Sequence, residues 1–206
     1  MIAVPGPALS RTLRFVALGL MLAGTSACVR IGAKPPEQLL SINAEARLAA
    51  GAPQSASAQS ALFVELPDVP RTLATQRVAV RASANSFAYV PKALWADTPA
   101  RQFQSLLGET IAARTGRLVL DPGQYLAQSS QILHGDLLEF GVDATGNKAV
   151  VTFDASLLAA DGQTVRRQRF SASRPVSDID ADHVAGPISA AANEVATQIA
   201  DWVGKP

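Results

Sequence analysis

The clearest pattern in the chain is a strict alternation from Ala149 to Leu157. Ala149, Val151, Phe153, Ala155 and Leu157 stand on one side, and Thr152, Asp154 and Ser156 on the other. A period of two predicts a strand that buries one face and wets the other. A preceding strand runs from about Gln131 to Gly141 and is turned by Asp143 to Lys148, and a following one spans Thr164 to Ala172 after a tight turn at Asp161-Gly162. These three form a meander. After Thr98 the spacing changes to three and four, through Phe103, Leu106, Leu107, Thr110, Ile111 and Arg114. That predicts a helix with Thr98 as N-cap, Pro99 in the first turn where its missing N–H costs nothing, and Gly116 as the left-handed closing residue. A last helix is predicted from Asp182 to Val203, with Val184, Ile188, Ala192, Val195, Ile199 and Trp202 along one stripe. Pro187 either kinks it or marks its true first turn after Gly186.

Shorter apolar runs complete the set. Leu62 to Leu66, Gln76 to Arg81, Ser86 to Val90 and Leu118 to Leu120 read as strands, and Pro91 to Asp97 leads into the first helix. Glu37 to Ala44 reads as a short edge strand, and the Ala/Ser/Gln-rich insert 45–61 as a flexible loop. The expected architecture over 37–206 is a single α+β domain, a mainly antiparallel sheet with two amphipathic helices packed on one face.

The N-terminal pattern is of another kind. Arg11 and Arg14 precede an apolar run from Phe15 to Ala23, and small residues Gly24 to Ala27 lead to the only cysteine, Cys28. The run is too short for a stable span of roughly 20 residues, so residues 1–27 read as a cleaved lipoprotein signal. The Cys28 thiol then accepts a diacylglycerol, an N-acyl chain such as palmitate follows on the freed amine, and 28–36 become a tether. Two or three chains anchor stably where one does not. Thr25 departs from the usual leucine of such signals, and an ordinary signal peptide or an uncleaved anchor is the alternative. Val29, where aspartate would favour inner-membrane retention, favours the periplasmic face of the outer membrane.

Charge excludes a nucleic-acid partner. Two of the 18 basic residues and none of the 17 acidic ones precede Cys28, leaving a net charge of −1 on the remainder. With the cysteine acylated no disulfide is available, so stability must come from packing.

Candidate chemistry is sparse. Gly141 and Gly146 have P-loop separation, but Asn147 and Lys148 occupy the lysine and hydroxyl positions, and no serine stands in a Gly-x-Ser-x-Gly elbow. His134 and His183, the only histidines, are far apart, so metal binding is not expected. Asp178, Asp180 and Asp182 alternate like a calcium loop, yet lack its glycine and closing glutamate and suit the start of the last helix better. Arg166, Arg167 and Arg169 are candidates for contact with anionic headgroups or a partner, or else form a solvated strand face that discourages edge pairing. Trp95 and Tyr89 are candidates for partner or lipid contact, with a core role as the alternative.

The run Gln76-Arg-Val-Ala-Val-Arg81, then Phe87-Ala-Tyr89, then Ala93-Leu-Trp-Ala-Asp97 and its helix, resembles the auxiliary lipoprotein family of ABC-type transport systems, the PqiC-like proteins. The resemblance spans most of Glu37 to Val203 and includes Leu137-Leu-Glu-Phe140, Arg169-Phe-Ser171 and the alanine-rich last helix. Gln38-Leu-Leu-Ser41 and the long insert replace the family's tight aromatic first strand. The resemblance implies a non-enzymatic subunit of lipid trafficking. Its partner would be an MCE-domain (MlaD-like) periplasmic protein, with a permease and an ATPase acting indirectly. No cofactor is implied beyond the acyl groups on Cys28, and a homo-oligomer is left open. The alternatives are an activator or assembly factor for an envelope enzyme or secretion channel, and a periplasmic lipid-cargo carrier.

Exporting the chain behind an ordinary signal peptide with Cys28→Ala is expected to move it from the membrane pellet to the soluble periplasmic extract. Fractionation and immunoblotting check this; retention in the pellet would mean that Cys28 carries no anchor.

Overall fold

The computed structural model describes residues 39–54, 61–120 and 131–204, all within the unit Glu37–Pro206. The expected signal, Cys28, the tether, residues 55–60 of the insert and the turn Asp121 to Gly123 lie outside the described residues. In chain order the elements are β1 (Leu39–Leu40), β2 (Leu62–Val64), β3 (Arg77–Ser83), β4 (Ser86–Trp95), α1 (Pro99–Thr115), β5 (Val119–Leu120), β6 (Gln131–Asp143), β7 (Lys148–Leu158), β8 (Val165–Pro175) and α2 (Ala181–Val203).

The sheet is built around β6. Along one edge it pairs antiparallel with β7 from Ile132↔Leu158 to Asp143↔Lys148, and β8 continues the meander beyond. Its other edge is shared. β2 runs parallel to the first part (Leu62↔Gln131 to Val64↔Leu133) and β3 parallel to the last (Ala79↔Gly141 to Arg81↔Asp143), with Asp68 bridging Asp136 between them. β5 lies parallel beyond β2, β4 antiparallel beyond β3, and β1 parallel to β4 at the border.

The expectation of a mainly antiparallel sheet is therefore corrected. Among the described residues four of the seven strand pairings are parallel, so the sheet is mixed and mostly parallel by pairings. The physical reason lies in the connection 65–76. It does not fold back as a hairpin but runs along the edge of β6, held by Asp68 N–H to Gly135 O and Leu137 N–H to Asp68 O. β2 and β3 thus run in one direction, and the return to β6 goes through α1, as a parallel crossover requires.

A second correction concerns β4, which continues through Pro91 to Trp95. The register jumps from Ala79↔Tyr89 to Arg77↔Leu94, so the residues around Pro91 leave the ladder, with Lys92 at φ 58°. A proline is tolerated in a strand at such an irregularity, where no ladder N–H is needed.

Both helices cover one face of the sheet. Phe103 of α1 packs against Phe153 and Phe140 with centroids 5.3 and 6.4 Å away, and Phe140 meets Trp95 at 5.5 Å. Val184, Ile188, Ala192, Val195 and Ile199 of α2 are fully buried. α1 starts at Thr98, whose hydroxyl makes no capping bond, and ends at Gly116, at φ 69°. α2 starts five residues before Gly186, with Asp180 accepting from the N–H groups of Asp182 and His183. Pro187 consequently lies inside the helix, not at its first turn. Gly186, without a Cβ, relieves the clash a proline imposes on a helical predecessor.

Residues 45–54 of the insert form neither helix nor strand. The segment leading into them is stitched to the helices: Ile42 N–H donates to Gln102 Oε1, Glu45 N–H to Asn193 Oδ1, and Asn193 Nδ2 to Asn43 O.

Two glycines give opposite expectations. A Cβ at Gly141 would overlap the carbonyl oxygen of Ala79 across the β3–β6 pair, whereas at Gly108, inside α1, it would meet only Val119 Cγ1 at 3.5 Å. Gly141→Ala is expected to cost about 3 kcal/mol by overpacking. Gly108→Ala is expected to gain about 0.5–1 kcal/mol. Urea denaturation of the two variants checks both signs.

Candidate functional site

The face of the sheet opposite the helices carries the chain's densest polar chemistry. Alternation supplies it: Arg81 from β3, Asp136, Glu139 and Asp143 from β6, Thr152 and Asp154 from β7, and Arg167, Arg169 and Ser171 from β8. Arg81 forks between two carboxylates, with Nη1 2.9 Å from Glu139 Oε1 and Nη2 3.0 Å from Asp143 Oδ2. Thr152 Oγ1 donates to Glu139 Oε2 at 2.6 Å. A hydroxyl has one proton, so in the 2.9 Å contact between Thr152 and Ser171 the serine donates. The network thus crosses β3, β6, β7 and β8 without a break. Beside it Arg169 grips Asp154 with two bonds of 2.5 and 2.6 Å, while Arg167 stands 3.8 Å from Asp154 and 4.0 Å from Asp136.

An irregularity in β6 shapes this surface. Leu137 pairs with Phe153 and Glu139 with Thr152, leaving Leu138 as an extra residue. Such a bulge shifts the phase of the strand. Leu137 and Phe140 both reach the core, while Leu138 and Glu139 turn outward. Leu138 and Phe87 are exposed apolar residues of this face. With Leu73, Val150 and Arg81 they line a hollow of about 50 Å³, room for a water or two.

Electrostatics follow the contacts. Thr145 donates its hydroxyl and backbone N–H to Asp143 Oδ1, and with Arg81 it holds the Asp143 carboxyl down to about 2. Arg169 likewise keeps Asp154 below the usual carboxylate range. At the start of α2, the bond from Asp180 raises His183, and His183 lowers Asp180 in turn.

The residues singled out from sequence do not converge. Arg167 and Arg169 lie on the open face, but Arg166, next to them in a strand, points the other way, stacked 5.2 Å over the Trp202 ring and bonded to Trp202 O. Trp95 is wholly buried, with no acceptor for its Nε1–H among the described residues, and so offers no surface to a partner or lipid. Tyr89 is half-buried under the Arg77 guanidinium at 4.0 Å, with its hydroxyl 3.4 Å from Thr72 O. His134 is exposed, and Asp180 serves as a helix cap. Cys28 is outside the described residues. Among the described residues no group of three or more His, Cys, Asp or Glu is placed to hold a metal, and no helix is long and apolar enough to cross a membrane.

Sequence reasoning missed Arg81, Glu139, Asp143, Phe87 and Leu138. One signal was available. In Leu133 to Val142 the large apolar residues sit at odd positions up to Leu137 and at even ones from Phe140, a change of phase that only a bulge allows.

Fold and surface together define a two-layer α+β domain with a polar network laid across one exposed sheet face. The sequence matches the ABC-type transport auxiliary lipoprotein component family over residues 44–200, and the chain belongs to that family. Among solved structures it is similar to protein XCC0632 from Xanthomonas campestris, of the family DUF330, at 19% identity and a TM-score of 0.61, covering 81% of this chain and 94% of that one. It is also similar to a crystal structure described only as an uncharacterized protein, at 19% identity and a TM-score of 0.58, covering 73% and 94% of the two chains. Among curated proteins no sequence matches.

The Asp143 carboxyl is lowered from 3.8 to about 2, so its contribution to stability is complete above about pH 5 and is lost as pH falls through about 2. Asp143→Asn is expected to cost about 1–3 kcal/mol at pH 7. The gap to the wild type should close on acidification, as urea midpoints measured across the acid range would record; a constant gap would mean the carboxylate is not the source.

Proposed function

We propose that this protein is the outer-membrane docking component of an ABC-type, MCE-linked system that moves phospholipid or other hydrophobic compounds across the envelope. Its acylated Cys28 fixes one end at the periplasmic face of the outer membrane. The domain binds the distal end of an MCE-domain periplasmic protein, whose permease and ATPase lie at the inner membrane. It catalyses nothing itself. Anchoring raises the local concentration of the docking surface, which substitutes for tight affinity.

The observation that carries docking over carriage is the filled interior. The space between sheet and helices, where a carried acyl chain would lie, is occupied by Trp95, Phe103, Phe140 and Phe153, all essentially without exposure. The surface offered instead is the open face, where Phe87 and Leu138 stand beside the Arg81–Glu139–Asp143 cluster. An apolar centre in a polar surround is the usual anatomy of a protein contact. Family membership supplies the transport context.

Co-purification tests the reading. The full-length protein, extracted in mild detergent, is expected to retain an MCE-domain protein. The pair Phe87→Asp and Leu138→Asp is expected to cut its recovery about tenfold, as loss of roughly 1.4 kcal/mol of contact would. Unchanged recovery with a folded variant would move the contact off this face, and recovery of bound lipid in place of a protein would favour carriage.

A further inference from the structure

Strand β8 forms one border of the sheet: among the described residues it pairs with β7 along eleven positions and with no strand beyond. The phase of that ladder can be read at both ends. At the hairpin Ala159 N–H donates to Thr164 O at 2.8 Å, and at the far end Val176 N–H donates to Asn147 O at 2.9 Å. In an antiparallel pair, residues that exchange bonds with the partner alternate with residues whose N–H and C=O turn away. The register advances one for one between these ends. The even-numbered residues of β8 therefore bond to β7. The odd-numbered Val165, Arg167, Arg169, Ser171 and Ser173 direct their backbone groups outward, until Pro175, which has no N–H.

These outward-bonding residues are also the ones whose side chains lie on the open face, where Arg169 reaches Asp154 and Ser171 meets Thr152. Arg167 and Arg169 are 66% and 64% exposed, and the carboxylate they share, Asp154, is only 12% exposed. On the border strand itself the outward charges are both positive, and the carboxylates that they meet, Asp154 and Asp136, stand one and two strands further in. A second copy of β8 paired antiparallel about Gln168 would set Arg167 opposite Arg169 twice, and like charges directly opposed are destabilising, so the centred self-pairing is disfavoured.

We infer that the β8 border accepts an extended segment of a different protein, carrying acidic side chains at i and i+2 opposite Arg167 and Arg169. Backbone hydrogen bonds give such an added strand its affinity, and the carboxylates select its register. It would widen the sheet by one strand and continue the open face. The inference gives a surface to the docking proposed above and rests on that reading only for the source of the segment.

The test uses a synthetic ten-residue peptide of alternating valine and threonine, with glutamate at two successive threonine positions, titrated into the isotope-labelled full-length protein in detergent. Amides of Arg167, Arg169 and Ser171 are expected to gain protection from hydrogen exchange, while those of Gln168 and Phe170 are protected without it. Replacing the glutamates by lysines, or Arg167→Glu in the protein, is expected to weaken binding about tenfold. Ser171→Pro, which removes an N–H that β7 does not use, should weaken it as well and leave the fold cooperative. No protection of the outward amides at millimolar peptide, equal binding of the lysine peptide, or a dimer that protects the same amides would each overturn the inference. If the peptide binds as expected but no MCE-domain protein co-purifies, only the docking reading fails. If that protein binds Arg167→Glu as tightly as wild type, only the β8 inference fails.

Discussion

Strand β6 is hydrogen-bonded on both edges at once, and this double engagement is the constraint on which the rest of the domain depends. It needs backbones to approach without side chains between them, and two glycines stand where they do. A Cβ at Gly135 would overlap Asp154 O on the β7 side, and one at Gly141 would overlap Ala79 O on the β3 side. With both edges satisfied, β6 can absorb a bulge in mid-strand without losing its neighbours. That bulge sends Leu137 and Phe140 inward and Leu138 and Glu139 outward. Core and open face are thus set by the same local irregularity.

What could be read from sequence was whatever local rules determine. α1 was legible to its ends because a cap position, a first-turn proline and a closing glycine act within a few residues of one another. The alternation of β7 was legible because one face is buried by the helices. Strand direction was not, since Val78 and Val80 alternate with Ala79 and Arg81 in the same way whether the neighbour is parallel or antiparallel. β4 was cut short at Pro91 because the irregularity that tolerates the proline is set by pairing with β3, a tertiary fact.

The candidate surface was less legible still. Arg167 and Arg169 stood out as a cluster, but Arg81 and its two carboxylates, Glu139 and Asp143, meet only through the β3–β6 register. Trp95 drew attention by its chemistry, and burial then removed it from the surface. Arg166 drew attention by its neighbours, and the period of two turned it to the helix side, where its guanidinium lies on Trp202. A charge cluster in a strand therefore divides between two faces, and only alternate members can act together. Most of the ion pairs on the open face are partly exposed and individually of small worth, so they orient side chains more than they hold the domain together.

The stitching of residues 42–45 has a mechanical consequence. At the leading end of the described residues stands β1, a strand of two residues that pairs with Leu94 and Trp95 of β4 and accepts the Ala96 N–H at Leu40 O. A tensile load arriving from that side would have little to pull against if it met β1 alone. Just behind it, however, Gln102 of α1 and the buried Asn193 of α2 hold Ile42, Asn43 and Glu45 by three bonds of 2.8 to 3.0 Å. A pull that strips β1 is stopped there and shared between both helices, so the loss ends at the border strand and does not run on into the sheet.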